Sequence, residues 1–164
     1  GISWTRFGAE PVLIPTGAAG EWDGTYAYRP SLVRVGAEWQ MYYSGSNHLV
    51  DPGTTPTYAR GIGRARSADG VSWTRDAGNP IFYYADGVPW RTIRTYTPFV
   101  LLSRDGDCLQ MWFTGANATA GAGIGYATQC GLAPPRNVPV SSRPGLALLV
   151  ALVLGLGALK LRLG

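Results

Sequence analysis

Two cysteines, one histidine and ten carboxylates are the side chains of this 164-residue sequence with most chemistry to offer. Cys108 and Cys130 are the only thiols. With a single distant His48 they do not make up a zinc set, so neither a metal nor a cofactor is expected. They can instead close a bridge. If residues 108–115 and 123–129 pair as a hairpin about the loop 116–122, the numbers of opposed residues sum to about 238. Gly115 then faces Gly123 and Cys108 faces Cys130, a placement that suits a cross-strand disulfide. The alternative is two buried free thiols. The carboxylates create no net field in the body of the chain. Residues 1–135 hold ten arginines against the ten acids, and the +4 excess comes from Arg136, Arg143, Lys160 and Arg162. The high isoelectric point belongs to the end of the chain, and it gives no case for nucleic-acid binding by the folded part.

The elements that must position these residues are written twice. GISWTRFGAEPVL (1–13) returns as GVSWTRDAGNPIF (70–82), with six identical positions. TYAYRPSLVRVGAEWQMYYSG (25–45) matches IRTYTPFVLLSRDGDCLQMWFTG (93–115), setting Pro30 on Pro98, Gln40-Met41 on Gln110-Met111 and Gly45 on Gly115. GIGRARS (61–67) matches GIGYATQ (123–129). Strands that keep register while one loop shortens define a structural unit. Residues 26–35 and 94–102, apolar, β-branched or aromatic, begin each unit. Residues 38–44 and 108–114 alternate apolar and polar. Residues 59–66 and 123–128 make a third strand. In the first unit GVSWTR closes the sheet as an outer strand, after a turn Ser67-Ala68-Asp69-Gly70 in which Gly70 is free to take positive φ and Asp69 can bond nearby N–H groups. Trp4, Trp39, Trp73 and Trp112 read as sheet core. Four antiparallel strands recurring in this way predict an all-β fold of two four-stranded propeller blades.

The strings S-x-D-G-x-x-W-T-R (67–75), N-P-I-F (79–82), W-x-M-Y-Y-S-G (39–45) and G-I-G-x-A-x-S (61–67) resemble the five-bladed β-propellers of the arabinanase, invertase and levansucrase type. Those proteins are glycoside hydrolases, transferases and phosphorylases. The match covers residues 1–129 and only two blades, so the resemblance implies an incomplete ring whose exposed sheet faces need neighbours. Residue 1 is a glycine inside the repeated phrase, with no initiator Met. A chain truncated at its N-terminus is therefore expected, with residues 1–6 as the outer strand of a preceding blade and residues 93–129 as the final blade.

The resemblance also implies carboxylates projecting from inner strands into a central funnel, as general acid, base or nucleophile. Neither inner strand here contains an acid. The nearest are Glu21 and Asp23 in GEWDG, with Asp86 in the corresponding second loop. Trp22 aligns with Trp90, but Asp23 aligns with Arg91, so the acid is not part of the repeated framework. Asp23 and Glu21 are thus weak catalytic candidates beside the simpler reading of loop acids capping a turn. The funnel would instead receive Tyr28, Arg29, Arg94, Tyr96 and Thr97, with Trp22 and Trp90 at the rims. Aromatic rings stack on sugar faces, and arginines donate to hydroxyls or carboxylates. Each of these residues could equally serve packing between blades. Two functions stay open. One is a carbohydrate-active, glycoside hydrolase-like propeller whose catalytic acids lie in other blades. The other is a non-catalytic surface propeller that binds glycan or protein.

The chain divides into a partial propeller (1–131), a Pro/Ser/Arg linker (132–143) and a hydrophobic segment with a basic end (144–164). Gly145–Leu159 lacks any polar side chain. As a helix it would span roughly 22 Å, and snorkelling of Lys160 and Arg162 would extend it with Leu161 and Leu163. A run apolar on every face predicts a transmembrane helix over a buried core helix. Basic residues after it would place the C-terminus in the cytoplasm and the propeller outside. VPVSSRPG followed by this helix resembles the bacterial C-terminal sorting segments of the IPTL and PEP type, with Val138-Pro139-Val140-Ser141 at the motif position. That resemblance implies the bacterial cell envelope as location and a sorting protease as partner, with the propeller either anchored or released after processing.

Overall fold

A computed structural model of the chain describes residues 2–47, 61–84 and 86–132. Two antiparallel sheets account for nearly all regular structure. The first orders β1 (Tyr26–Val35), β2 (Glu38–Ser46), β3 (Gly61–Ser67) and β4 (Thr74–Arg75), with β5 (Phe82–Tyr83) also paired to β3. The second orders β6 (Arg94–Leu102), β7 (Cys108–Asn117) and β8 (Gly121–Cys130). A 3-10 turn, Pro89–Arg91, precedes β6. The starts and ends of β1 and β6 coincide with the sequence expectation. β2, β7 and β8 each run longer than expected. The β7–β8 ladder sets Gly115 on Gly123 and Cys108 on Cys130. Cys108 and Cys130 are joined by a disulfide, Sγ–Sγ 2.08 Å.

The outer strand is shorter than the sequence suggests. Only Thr74 and Arg75 of the SWTR phrase enter the ladder, opposite Arg66 and Ala65. The preceding turn takes the other donors. Asp69 Oδ1 accepts from the amides of Val71 and Ser72, each at 2.8 Å, and Trp73 Nε1 donates to the Gly70 carbonyl at 3.2 Å. These bonds to the charged form hold the Asp69 carboxyl well below its ordinary range, the Ser72 and Val71 amides being the main causes. Gly70 takes φ 78°, as the turn requires. Beyond β4 the side chain of Asn79 stands in for a strand residue. Its Oδ1 accepts from the Arg64 amide at 2.8 Å and its Nδ2 donates to the Arg64 carbonyl at 2.9 Å. β5 then resumes the edge opposite Gly61 and Ile62.

The sheets pack face to face. Val33, Tyr42 and Ile62 of the first meet Val100, Leu109, Met111 and Phe113 of the second in one buried cluster. Phe82 stacks on Phe113 at 5.1 Å. A second cluster, Met41, Tyr43 and Ala65 with Trp22, Trp73 and Leu13, covers the far face of the first sheet. On the far face of the second sheet Phe99, Trp112 and Tyr126 form one cross-strand row, centroids 6.3 and 5.1 Å apart. Phe99 and Tyr126 are exposed there, as are Leu101 and Ile124.

Of the four tryptophans expected in the sheet core three are only half-buried and one is exposed, and the N-terminal segment forms no strand. Trp4 is 94% exposed and residues 2–7 form no strand, because no strand edge among the described residues lies against them. Trp39 is only half-buried and sits under the Arg34 guanidinium, 5.5 Å from its ring centroid. Among the described residues no helix is long and apolar enough to cross a membrane. The expected hydrophobic helix at 144–164, residues 133–143 of the expected linker 132–143, and residues 48–60 of the loop 46–60, with His48 and Asp51, lie outside the described residues. The disulfide closes a 22-residue separation within one hairpin. Loop-closure entropy at that length corresponds to about 3 kcal/mol. Replacing both cysteines by alanine should therefore lower urea-unfolding stability by about that amount, or by part of it if the denatured chain is compact.

Candidate functional site

Proline dictates the shape of the first strands. Pro30 and Pro98 have no N–H to give the ladder, so each first strand carries one extra residue at that point. The register shifts between Tyr28 and Ser31 in β1, and between Tyr96 and Phe99 in β6. The residue before each proline, Arg29 and Thr97, takes φ 54°. These are the only non-glycine residues at positive φ among those described. A left-handed conformation costs a side chain with a Cβ on the order of 1–3 kcal/mol, and such strain gathers at bulges beside functional sites.

The two bulges touch. Arg29 Nη1 donates to Thr97 Oγ1 at 3.0 Å. The Thr97 amide, released from its own ladder, donates to Ser44 Oγ across the seam at 2.8 Å, and the Val100 amide donates to Ser31 Oγ at 2.9 Å. The Arg29 guanidinium lies 5.4 Å from the Tyr28 ring centroid and 5.3 Å from that of Tyr96. Arg94 approaches the Tyr96 ring at 6.0 Å, and Tyr26 meets Tyr28 edge-on at 6.3 Å. Tyr28, Arg29, Arg94 and Tyr96 thus lie close together. They form a cationic and aromatic surface where the first strands meet.

Trp22 and Trp90 lie as wedges against the sheets, with Trp90 38% exposed. A Cβ on Gly45 or Gly63 would come within 2.4 or 2.5 Å of the Trp22 ring, and one on Gly115 within 2.4 Å of Trp90. Only glycine permits this approach. Trp90 also stacks on Phe113 at 5.9 Å. The loops carrying these rings are pinned by equivalent asparagines. Asn47 Nδ2 donates to the carbonyls of Ala18, Ala19 and Glu21, and Asn117 Nδ2 to that of Pro89.

The residue after each tryptophan faces the sheet from the same place, and its charge is opposite in the two units. Asp23 is fully buried. Its Oδ2 accepts from Tyr43 Oη and from Arg75 Nε, both at 2.9 Å. Arg75 Nη2 also donates to the Ile14 carbonyl. The outer strand, the loop and the segment before it are tied at one carboxylate. Among the described residues Asp23 Oδ1 has no hydrogen-bond partner. Arg91, in the corresponding place, is also buried; it donates to the Tyr83 carbonyl at 2.9 Å and Thr95 Oγ1 at 3.1 Å, and pairs with Asp86. The neighbours are exchanged to match. Tyr43, whose hydroxyl serves Asp23, is replaced by Phe113, over which the Arg91 guanidinium lies at 5.9 Å. Glu21 is exposed, and among the described residues only its backbone is engaged in the loop. Asp23 is therefore part of an internal ion pair and Glu21 faces solvent. Among the described residues no three His, Cys, Asp or Glu side chains converge to hold a metal ion.

Sequence reasoning misses the positive-φ bulges and the Asp23–Tyr43–Arg75 tie. A signal for the bulges exists: Pro30 on Pro98 in two aligned strands already requires a break in each ladder. The tie has only a faint trace, the reversal of Asp23 to Arg91 alongside that of Tyr43 to Phe113.

Two repeated antiparallel sheets, packed face to face with their first strands meeting, have the layout of neighbouring propeller blades. No protein-family model matches this sequence, and no curated protein matches it significantly. Solved structures do match. A glycosyl hydrolase from Bacteroides ovatus superposes with TM-score 0.61 at 19% identity, covering 74% of this chain and 36% of that one. BT0996, solved as an RGII complex, gives 0.57 at 21% identity over 82% of this chain and 34% of that one. A further glycoside hydrolase gives 0.56 at 22% identity over 77% and 32%. The chain spans about a third of the length of the structures it matches. At such identities the likeness is one of fold.

Two outcomes follow from the buried tie. Replacing Asp23 by alanine leaves Arg75 and the Tyr43 hydroxyl without their shared acceptor, and should cost about 3 kcal/mol in urea unfolding. Burial, and then the nearby Asp23 charge, push the Tyr43 hydroxyl above its usual 10.0. The folded chain keeps that proton where the unfolded chain releases it, so stability should fall as pH rises above 10. Tyr43→Phe should flatten that decline in denaturation measured from pH 8 to 11. An unchanged slope would show that Tyr43 does not carry it.

Proposed function

We propose that the chain is part of a carbohydrate-active propeller, and that the surface formed by Tyr28, Arg29, Arg94, Tyr96 and Thr97 binds glycan. The observation that carries this reading is the pair of strained bulges. Two non-glycine residues at φ 54° hold an arginine between two tyrosine rings on a fold shared with glycoside hydrolases. Flat aromatic rings beside fixed donors suit a sugar's apolar face and its hydroxyls. In the glycoside hydrolase-like form of the proposal, the catalytic carboxylates belong to blades other than these two. A non-catalytic surface propeller is the second reading, favoured by the absence of any acid in β1 or β6. In either form the protein is exported at a bacterial envelope, held by residues 144–164 or released there by a sorting protease.

The test is affinity electrophoresis of the 164-residue chain through a panel of soluble plant and bacterial polysaccharides, with Tyr96→Ala as the comparison. Retardation by at least one polysaccharide, lost in the variant, is expected. The same preparation should leave aryl glycosides intact. Turnover would place catalytic acids within this chain and overturn that part of the proposal, and no retardation by any glycan would overturn the binding site.

A further inference from the structure

We infer that Arg29 is a preorganised receptor for the carboxylate of an acidic sugar, which makes uronic-acid-containing glycans the ligand class of this surface. The inference rests on the carbohydrate-binding reading above and adds the chemistry that would select among sugars.

A flexible, exposed arginine loses much of its interaction energy to side-chain ordering when it binds a ligand. Arg29 has been ordered in advance. Its backbone is fixed at φ 54° by the bulge and by the following Pro30. Its guanidinium is bracketed by the rings of Tyr28 at 5.4 Å and Tyr96 at 5.3 Å, and Nη1 is occupied by Thr97 Oγ1 at 3.0 Å. Nε and Nη2, the side-on edge of the fork, bond nothing among the described residues. That edge matches the two oxygens of a carboxylate in parallel hydrogen bonds.

The charge around it points the same way. The other arginines that the structure binds tightly have carboxylates: Arg64 and Arg66 share Asp76, Arg75 has Asp23, and Arg91 has Asp86. Arg29 has none among the described residues, although it is exposed and held rigid. Neither β1 nor β6 contains an acid, and Arg94 adds a second positive charge over the same Tyr96 ring. Neutral sugars would need donors and acceptors in mixture. The tyrosine and threonine hydroxyls of this surface can serve a neutral ring, and the cationic fork adds a preference for a ring bearing an anion. The paired tyrosines hold the fork in place, and the fork supplies the anion-binding component. The left-handed backbone that aims the fork is retained at a cost in stability that a glycine would avoid.

The test uses the 164-residue chain and three probes: a galacturonate tetrasaccharide, its fully methyl-esterified form and a neutral galactose tetrasaccharide. Calorimetry at low salt should show the free acid binding at least roughly tenfold tighter than the ester, the gain of one charge-assisted bidentate pair. Arg29→Gly should abolish that preference while leaving the thermal midpoint unchanged or higher, because glycine adopts φ 54° without strain. Arg29→Lys keeps the charge and loses the fork, so its preference should fall severalfold; it carries the same test if the glycine variant proves unstable. Equal binding of acid, ester and neutral sugar would overturn the carboxylate assignment and leave the glycan-binding reading standing. Preference for the acid that survives both substitutions would also overturn it. Binding of none of the three, by a chain that does bind a neutral polysaccharide from the wider panel, would reject the carboxylate assignment alone. Binding of no glycan at all would reject both readings.

Discussion

The ring of Trp22 lies on the bare backbone of Gly45 and Gly63, and the ring of Trp90 lies in the same way on Gly115 and Gly125. From this contact the rest of the fold can be built outward. A glycine pair on neighbouring strands leaves a shallow trough, and a flat indole fills it where two ordinary side chains would not. The indole fixes the loop before each first strand. The loop sets the following residue, Asp23 or Arg91, against the sheet and delivers β1 or β6 at a defined height. The Pro-containing bulges, and with them Arg29 and Thr97, then meet across the seam. A small change in the trough would shift the tyrosine–arginine surface through this chain of contacts.

The two units solve one packing problem with opposite charges. Under the first sheet a buried carboxylate is satisfied by a tyrosine hydroxyl and by the arginine of the outer strand. Under the second, a buried guanidinium is satisfied by a carbonyl, a threonine hydroxyl and Asp86, and stacks on phenylalanine where the tyrosine had been. A buried charge left alone would be far costlier than either arrangement. Exchanging Asp23 for arginine would set it against Arg75, with alanine at position 18 where the second unit has Asp86, and would strand a charge. The Asp23 arrangement also needs Arg75, so it belongs with a sheet that has an outer strand. The Arg91 arrangement draws its partners from β5, the loop after it and β6.

Much of this is legible in the sequence, because repetition supplies an internal comparison. Paired strands of fixed register follow from two copies of the same apolar and polar alternation, and the register about the loop 116–122 correctly opposes Cys108 to Cys130. What stays hidden depends on contacts between residues far apart in the chain. The shortened outer strand results from Asp69 capturing the amides of Val71 and Ser72, a competition between turn and ladder that propensity does not decide. Asn79 replacing a strand residue is likewise a side-chain event. The exposure of Trp4, identical in sequence context to the half-buried Trp73, shows the limit most plainly: burial requires a neighbouring surface, and the phrase alone does not provide one.

The positions that repeat and those that do not divide by role. Glycine troughs, tryptophan wedges, pinning asparagines and bulge prolines recur in both units, and each has a packing or backbone reason to recur. Arg29 and Thr97 occupy equivalent places with the same φ but different side chains, and one donates to the other. An asymmetric pair at a symmetric position is what a repeat architecture needs in order to build a directional surface. The scaffold imposes the strained backbone on both units, and the sequence spends it differently in each. In one it holds a cationic fork between two rings; in the other it supplies the hydroxyl that orients that fork.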